Sequence, residues 1–232
     1  LQPFLKENPD IDVQPTVLDW GSAWTKLTTA ATSGEGPDIT QLGTTQIAAI
    51  AAMGALEDLT PYYDRFGGEE AFVDATLPTT QILGQGEERY ALPWFIDTRA
   101  LFYRKDICEA AGVNPETDFK TWDSFREALT KMKDVEIDGV KVPPLGMPGK
   151  NDWNVIHNYA PWIWGAGGDF IAEDNKTSII NSDEALAGVS YYAELAIDGL
   201  MSMQALEKNS AEIEAAFNAG EFATIFSGAY EI

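Results

Sequence analysis

The sequence has one cysteine, Cys108, and one histidine, His157, among its 232 residues. A single thiol cannot close an internal disulfide or build a cysteine cage for a metal. The histidine stands outside any H-x-x-x-H or H-E-x-x-H pattern, so it reads as structural and not as a metal ligand. Basic residues are scarce, with 15 Lys and Arg against 37 Asp and Glu, a net charge of −22. A field of that sign repels phosphate backbones and argues against nucleic acid; it also disfavours anionic small ligands. The plainest account of the acidity is a strongly solvated surface suited to a salty or extracellular setting. Long apolar runs are missing too. The longest stretch of small apolar residues, Ile47–Leu56, is too short and too alanine-rich to span a bilayer. No G-x-S-x-G, P-loop or dinucleotide fingerprint is present. The acidic run Asp169–Asn175 lacks the calcium-loop pattern. The expectation is no metal, no cofactor and no catalytic residue.

What is there is ordinary globular material: 45% hydrophobic and a generous 11% aromatic, enough chain for one large or two modest domains. Leu1 is not an initiator methionine, so the chain reads as already trimmed, and the lack of a leader proves nothing. Leu1–Lys6 reads as the tail of a helix stopped by Asn8-Pro9. Ile11 and Val13 alternate with acids like a half-buried strand that Pro15 ends. Asp19–Ser33 reads as a helix with Trp24, Leu27 and Ala31 on one face and Gly34 as its stop. G-P-D-I-T-Q-L from Gly36 predicts a loop and a short strand that buries Ile39. Thr44 or Thr45 is placed to cap a helix Gln46–Met53. Helix alternating with short strand predicts an α/β lobe.

Tyr90–Asp106 holds two apolar, aromatic-rich runs, Tyr90–Ile96 and Ala100–Tyr103, separated by Asp97, Thr98 and Arg99. Such runs favour extended chain, and Pro93 argues against a regular central strand. The pattern predicts a crossover in which one strand ends, a polar step follows and another strand begins. Beyond it come a helix Ile107–Ala111, a helix capped by Thr121 with Trp122, Phe125, Leu129 and Met132 on one stripe, and a strand within Val140–Gly146. A helix from Ser182 or Asp183 is predicted with Leu186, Val189, Ala193 and Ile197 inward. Ser210 caps another helix, and Phe222–Phe226 forms a strand.

The order of G-x-G-P-D-I, G-A-L-E-D-L-T-P and Y-A-L-P-W, followed by L-F-Y-R-K-D and the tail F-N-A-G-E-F-A-T-I-F-S-G-A-Y, resembles the extracellular solute-binding proteins of sugar-type ABC importers, the maltose-binding-protein-like family. The resemblance covers nearly the whole chain. It implies a two-lobed α/β fold of the type II periplasmic-binding-protein kind. Residues 1–95 would form the first lobe, 96–101 the hinge crossover and 102–232 the second lobe. Members usually begin with a strand before the first helix and continue past the Gly228 loop, so the resemblance implies a chain truncated at both ends, with some binding groups outside it. It also implies a monomer outside the cytoplasm, periplasmic or lipid-anchored, that binds a sugar between its lobes and delivers it to a membrane permease without chemistry.

A sugar site needs flat aromatic faces for the ring's C–H groups and polar groups aimed at its hydroxyls. The resemblance places a ligand-contacting acid at Asp97, with a salt bridge to Arg99 or Arg104 as the alternative. Trp94 is cleft wall or core. Thr44, Thr45 and Gln46 sit at a helix start with free N–H groups, where capping is the alternative. Trp20 lies in the strand-end loop D-W-G-S. Trp153, Asn154 and His157 fall where the family carries a stacking aromatic. Tyr230 follows Gly228-Ala229, where the family often has tryptophan. Trp162 and Trp164 flank the same second-lobe loop and suit core packing. Tyr191-Tyr192 could serve a ferric ion, yet both sit in a helix and suit the core or surface. Two other functions stay open: a glycoside hydrolase with Asp97 and a partner such as Asp152 as its carboxylate pair, and a receptor for a cation such as a polyamine.

Overall fold

The computed structural model describes residues 1–149, 152 and 154–231. Nine α-helices and five short strands are found among the described residues. The helices are α1 Gln2–Glu7, α2 Trp20–Ser33, α3 Ile47–Ala52, α4 Lys105–Ala111, α5 Pro115–Asp118, α6 Trp122–Met132, α7 Val155–Gly165, α8 Asp183–Ile197 and α9 Ser210–Asn218. The strands are β1 Ala100–Tyr103, β2 Glu136–Ile137, β3 Val140–Lys141, β4 Leu145–Gly146 and β5 Thr224–Ser227. Among the described residues no helix is long and apolar enough to cross a membrane.

The main sheet runs β1-β5-β4. β1 pairs antiparallel with β5, Ala100 opposite Ser227 and Tyr103 opposite Thr224, and β4 pairs parallel with β5. β5 is central, and Thr224 and Ile225 are fully buried. The expected strand in Val140–Gly146 divides: Val140–Lys141 folds into a hairpin with β2, and only Leu145–Gly146 joins the sheet.

Helix ends follow local chemistry. Asp19 accepts from the Ser22 N–H at the start of α2, and Gly34, at φ 72°, ends it in a left-handed turn that favours glycine. Thr121 and Ser124 form a capping box for α6. The cap of α9 is Asn209, not Ser210, because Glu212 closes a reciprocal box onto Asn209.

The core lies between α4, α6, α7, α8 and the sheet, built on Ile107, Leu129, Met132, Leu145 and Leu195. Each such side chain contributes about 1.5–3 kcal/mol by leaving water. Cys108 is buried there beside Met132. The inward stripe of α8 is Ala185, Gly188 and Leu195 with Tyr191 and Tyr192, so the predicted stripe is misplaced: Leu186 and Ile197 face solvent. Gly188 explains the offset. A Cβ there would lie 2.8 Å from Ile163 Cα and clash with the Trp162 carbonyl, so α7 and α8 meet backbone to backbone on that face. Trp162 stacks on Tyr191 with ring centroids 5.3 Å apart, and Trp122 on Tyr191 at 4.6 Å. Tyr191 donates to the Trp122 carbonyl. These tyrosines are core residues.

The first 95 residues differ from expectation. Their helices α2 and α3 pack through Ala23, Leu27 and Ile50, but no paired strand is found among the described residues there. The strand predicted at Ile11 and Val13 is irregular chain. So is the strand predicted after Pro37, where Ile39 is 91% exposed instead of buried. Tyr90–Ile96 forms no strand either among the described residues: the Tyr90 N–H donates to the Thr80 carbonyl and the Ala91 carbonyl accepts from the Tyr63 hydroxyl, without a ladder. A strand is stable only when a neighbour takes its N–H and C=O groups in a continuing ladder, and no such ladder is found here among the described residues. Trp20 opens α2 and does not lie in a strand-end loop.

Candidate functional site

A cleft of about 1540 Å³ is lined by residues of α2, the loop before α3, the Phe95–Leu101 segment, α5, α6, α7 and α9, together with Tyr230. Of the residues singled out from the sequence, Trp20, Thr44, Thr45, Gln46, Asp97, Asn154, His157 and Tyr230 all line it. Trp94 does not: its side chain points to solvent, 79% exposed, edge-on to Phe95. Trp153 lies outside the described residues.

The loop before α3 departs from the capping expectation. Neither Thr44 nor Thr45 caps the helix; Gln46 is its N-cap and makes no side-chain cap bond. Its buried side chain turns back and accepts from the Gly43 N–H at 3.1 Å. This fixes the loop and leaves the two threonine side chains exposed at the cleft edge.

Asp97 is exposed, and neither predicted salt bridge forms. Arg104 pairs with Asp106 at 2.5 Å. Arg99, half-buried, donates from Nη1 to the Tyr230 hydroxyl at 2.8 Å. Among the described residues Asp97 has no ion pair. The Tyr230 hydroxyl in turn donates to Glu214 Oε1 at 3.0 Å, and Ser227 Oγ donates to the same oxygen at 2.7 Å. Sequence reasoning misses Glu214. It is one more acid on an amphipathic helix, and only the return of α9 beside β5 brings it to the cleft.

Asp152 accepts from the backbone N–H groups of Asn154, at 2.9 Å, and Ser210, at 2.5 Å. Each carboxylate oxygen has a backbone donor, so this acid ties α7 to α9. His157 is half-buried, and its pKa is pushed below the usual value first by that burial and then by Arg99; Asp97 and Asp152 pull the other way. It is therefore poised to stay neutral. Pro161 sits inside α7 and lines the cleft. Its missing N–H removes the donor that a regular helix would offer the His157 carbonyl.

Among the described residues, two buried polar atoms beside the cleft have no partner: Asn158 Oδ1 and Ser210 Oγ. Buried polar groups are nearly always hydrogen-bonded, and leaving one unmade costs about 1–3 kcal/mol. Aromatic side chains also line the cavity. Trp20, Trp164 and Tyr230 are each more than half exposed there, while Trp162 and Phe125 form a buried wall. Its charged lining is Asp19, Asp97, Glu116, Asp152 and Glu214 against Arg99 and Lys120. Among the described residues no group of His, Cys, Asp or Glu could hold a metal.

The whole chain, residues 1–232, matches the family described as bacterial extracellular solute-binding protein. It is 30% identical over 200 residues to a Brucella abortus protein named as a binding protein, covering 85% of this chain and 45% of that one. It is 29% identical over 165 residues to the diacetylchitobiose-binding protein DasA of Streptomyces coelicolor, covering 71% of this chain and 35% of that one. The fold is similar to an ABC transporter solute-binding protein of Thermotoga lettingae, solved with α-D-tagatose. The TM-score is 0.84 at 24% identity, over 99% of this chain and 57% of that one. The chain thus spans about half the length of the proteins it matches. With the two-lobed α/β architecture of those structures and a match along its whole length, the chain belongs to the bacterial extracellular solute-binding proteins.

Proposed function

We propose that the protein is the extracytoplasmic substrate-binding component of an ABC importer, and that it holds a neutral carbohydrate, an oligosaccharide, in this cleft. The observation that carries the reading is the pairing, in one cleft, of open aromatic faces with exposed polar groups. Trp20 and Tyr230 both line it and are each more than half exposed, offering ring faces to a guest. Asp97, Thr44, Thr45 and Asn154 supply hydroxyl-reading groups, and the Asn158 and Ser210 side chains, unpartnered among the described residues, lie buried beside them. The volume exceeds the ~300–1,000 Å³ of common small-ligand pockets, which favours more than one sugar ring. The diacetylchitobiose named for one relative accords with this.

The mechanism is closure. The 96–101 crossover acts as the hinge, and a guest touching both sides stabilises the closed form by its differential contacts. The closed, loaded protein delivers its guest to the membrane permease. The protein works as a monomer, in the periplasm or lipid-anchored on the outer face of the membrane, and its acidity keeps nucleic acid away. It performs no catalysis. A hydrolase pair needs a free second carboxylate, whereas both Asp152 oxygens are occupied by backbone donors.

Thermal-shift screening of the full-length protein tests this. A neutral oligosaccharide at 100 times its Kd adds about 2.7 kcal/mol, a rise of roughly 5–10 °C for a chain of this size. A rise only with spermidine, or release of shortened sugars on incubation, overturns the reading.

A further inference from the structure

We infer that Arg99 and Glu214 are positioning residues that clamp the Tyr230 hydroxyl, so that a sugar in the cleft meets the ring face of Tyr230 and not its hydroxyl. The inference rests on the carbohydrate reading above and goes beyond it, because it divides the site into groups that touch the guest and groups that aim them.

Three observations converge. The Tyr230 hydroxyl accepts from Arg99 Nη1 at 2.8 Å and donates its one proton to Glu214 Oε1 at 3.0 Å. Ser227 Oγ, 3.3 Å from that hydroxyl, donates to the same Glu214 oxygen at 2.7 Å. A phenol has one proton to give, and here Glu214 has it, so no donor remains for a ligand. The ring is held from behind as well. A Cβ on Gly228 would lie 2.8 Å from Tyr230 Cδ1, so glycine is what lets the ring lie across the turn. Tyr230 is nonetheless 56% exposed. A side chain whose polar end is tied down and whose face stays open is a preset stacking platform, and presetting it removes the rotamer entropy that binding would otherwise cost. Arg99 belongs to the crossover and Glu214 to α9, so the clamp also fixes the platform relative to the joint.

The test has two arms. In the ligand-free full-length protein labelled with fluorotyrosine, the Tyr230 signal is assigned by its loss in Tyr230→Phe. It should be shifted from the position of a free, exposed tyrosine. Glu214→Gln, Arg99→Gln and Gly228→Ala should each move it toward that position while leaving the signals of the other tyrosines in place. A Tyr230 signal unmoved by all three overturns the clamp, whatever the protein binds. In the second arm, diacetylchitobiose, arabinotriose and maltotriose are titrated by calorimetry, and the tightest is used in a double-mutant cycle. Glu214→Gln and Tyr230→Phe should each raise Kd about tenfold, and the double variant should raise it no further. A Glu214→Gln penalty that persists undiminished in the Tyr230→Phe protein means that Glu214 touches the sugar itself, and the inference falls. If the wild-type protein binds none of the three sugars, the carbohydrate reading is what fails, and the fluorine spectrum still decides the clamp.

Discussion

Gly188→Ala is the sharpest probe of how the second half of the chain supports the cleft. A Cβ at this position would sit 2.8 Å from Ile163 Cα and closer still to the Trp162 carbonyl. Both are backbone atoms of α7, so no side-chain rotation relieves the clash. Overpacking costs about 1–3 kcal/mol, and a backbone-to-backbone contact belongs at the upper end, ~3 kcal/mol. Replacing glycine by alanine within a helix returns about 1 kcal/mol. The net loss is ~2 kcal/mol, which lowers Tm by roughly 4–8 °C for a chain of this length. Ser190→Ala, at an exposed position of the same helix, carries propensity without the clash and should leave Tm unchanged or slightly raised. Thermal and urea melts of both variants measure this. Because α7 carries His157 and Asn158 into the cleft, the same displacement should weaken sugar binding. A Gly188→Ala protein that melts with or above the parent refutes the close approach of α7 and α8.

The other predictions address single groups. Asp97→Asn should leave Tm within about 1 °C, since the exposed carboxylate has no ion pair among the described residues, yet raise Kd tenfold or more, because a hydrogen bond to a charged group is worth about 1.5–3 kcal/mol; equal stability and equal affinity would dismiss it from the site. Trp94→Ala should bind within about twofold of the parent, a difference well under 1.4 kcal/mol, and a larger loss measured by calorimetry would bring Trp94 back into the cleft. The folded-state pKa of His157 lies below 6.5, so the unfolded chain takes the proton first. Stability is then held above about pH 6.5 and falls as the pH drops below it; Tm measured from pH 8 to 5 should fall less in His157→Asn, and parallel curves would exclude that burial. Burial pushes Tyr191 and Tyr192 up to about 12. Stability is therefore intact below pH 10 and lost as the pH rises from 10 toward 12, and an alkaline absorbance titration should show two of the eight tyrosines ionising last. Neutral-sugar affinity should change little between low and 0.5 M salt, whereas a cationic guest would be screened off.

The parts of the fold written in local chemistry are legible in the sequence. The Thr121 cap, the Gly34 stop and the apolar stripe of α6 depend on residues within one turn of each other. The extended segments of the first 95 residues are not, because alternation at Ile11 and Val13 or an apolar Ile39 says only that a segment suits a sheet. Pairing needs a neighbour, and none is present among the described residues. The α8 stripe escapes a sequence reading for a related reason. Leu186 and Ile197 outweigh Gly188 in any hydrophobic count, yet the helix turns its smallest residue toward α7 because that contact admits nothing larger. In the site, aromatic and polar residues near breaks in the pattern can be singled out, but the partnership of Arg99 and Glu214 with Tyr230 spans separations of 131 and 16 residues. No local pattern encodes it.

The charges around the cleft bear on what kind of guest it suits. Among the described residues, five carboxylates line it against Arg99 and Lys120, which at first favours a cation. Three of those carboxylates are already engaged, however: Asp19 by Ser22, Asp152 by backbone N–H groups and Glu214 by Tyr230 and Ser227. Arg99 stands half-buried in the lining, near enough to His157 to depress its pKa. A cationic guest seated on the Tyr230 face would face that guanidinium, and an anionic one would face Asp97. A neutral polyol avoids both conflicts, since its hydroxyls can donate to Asp97 while bringing no charge to Arg99. The mixture of signs at close range, rather than the overall acidity, is what makes the cleft suited to an uncharged guest.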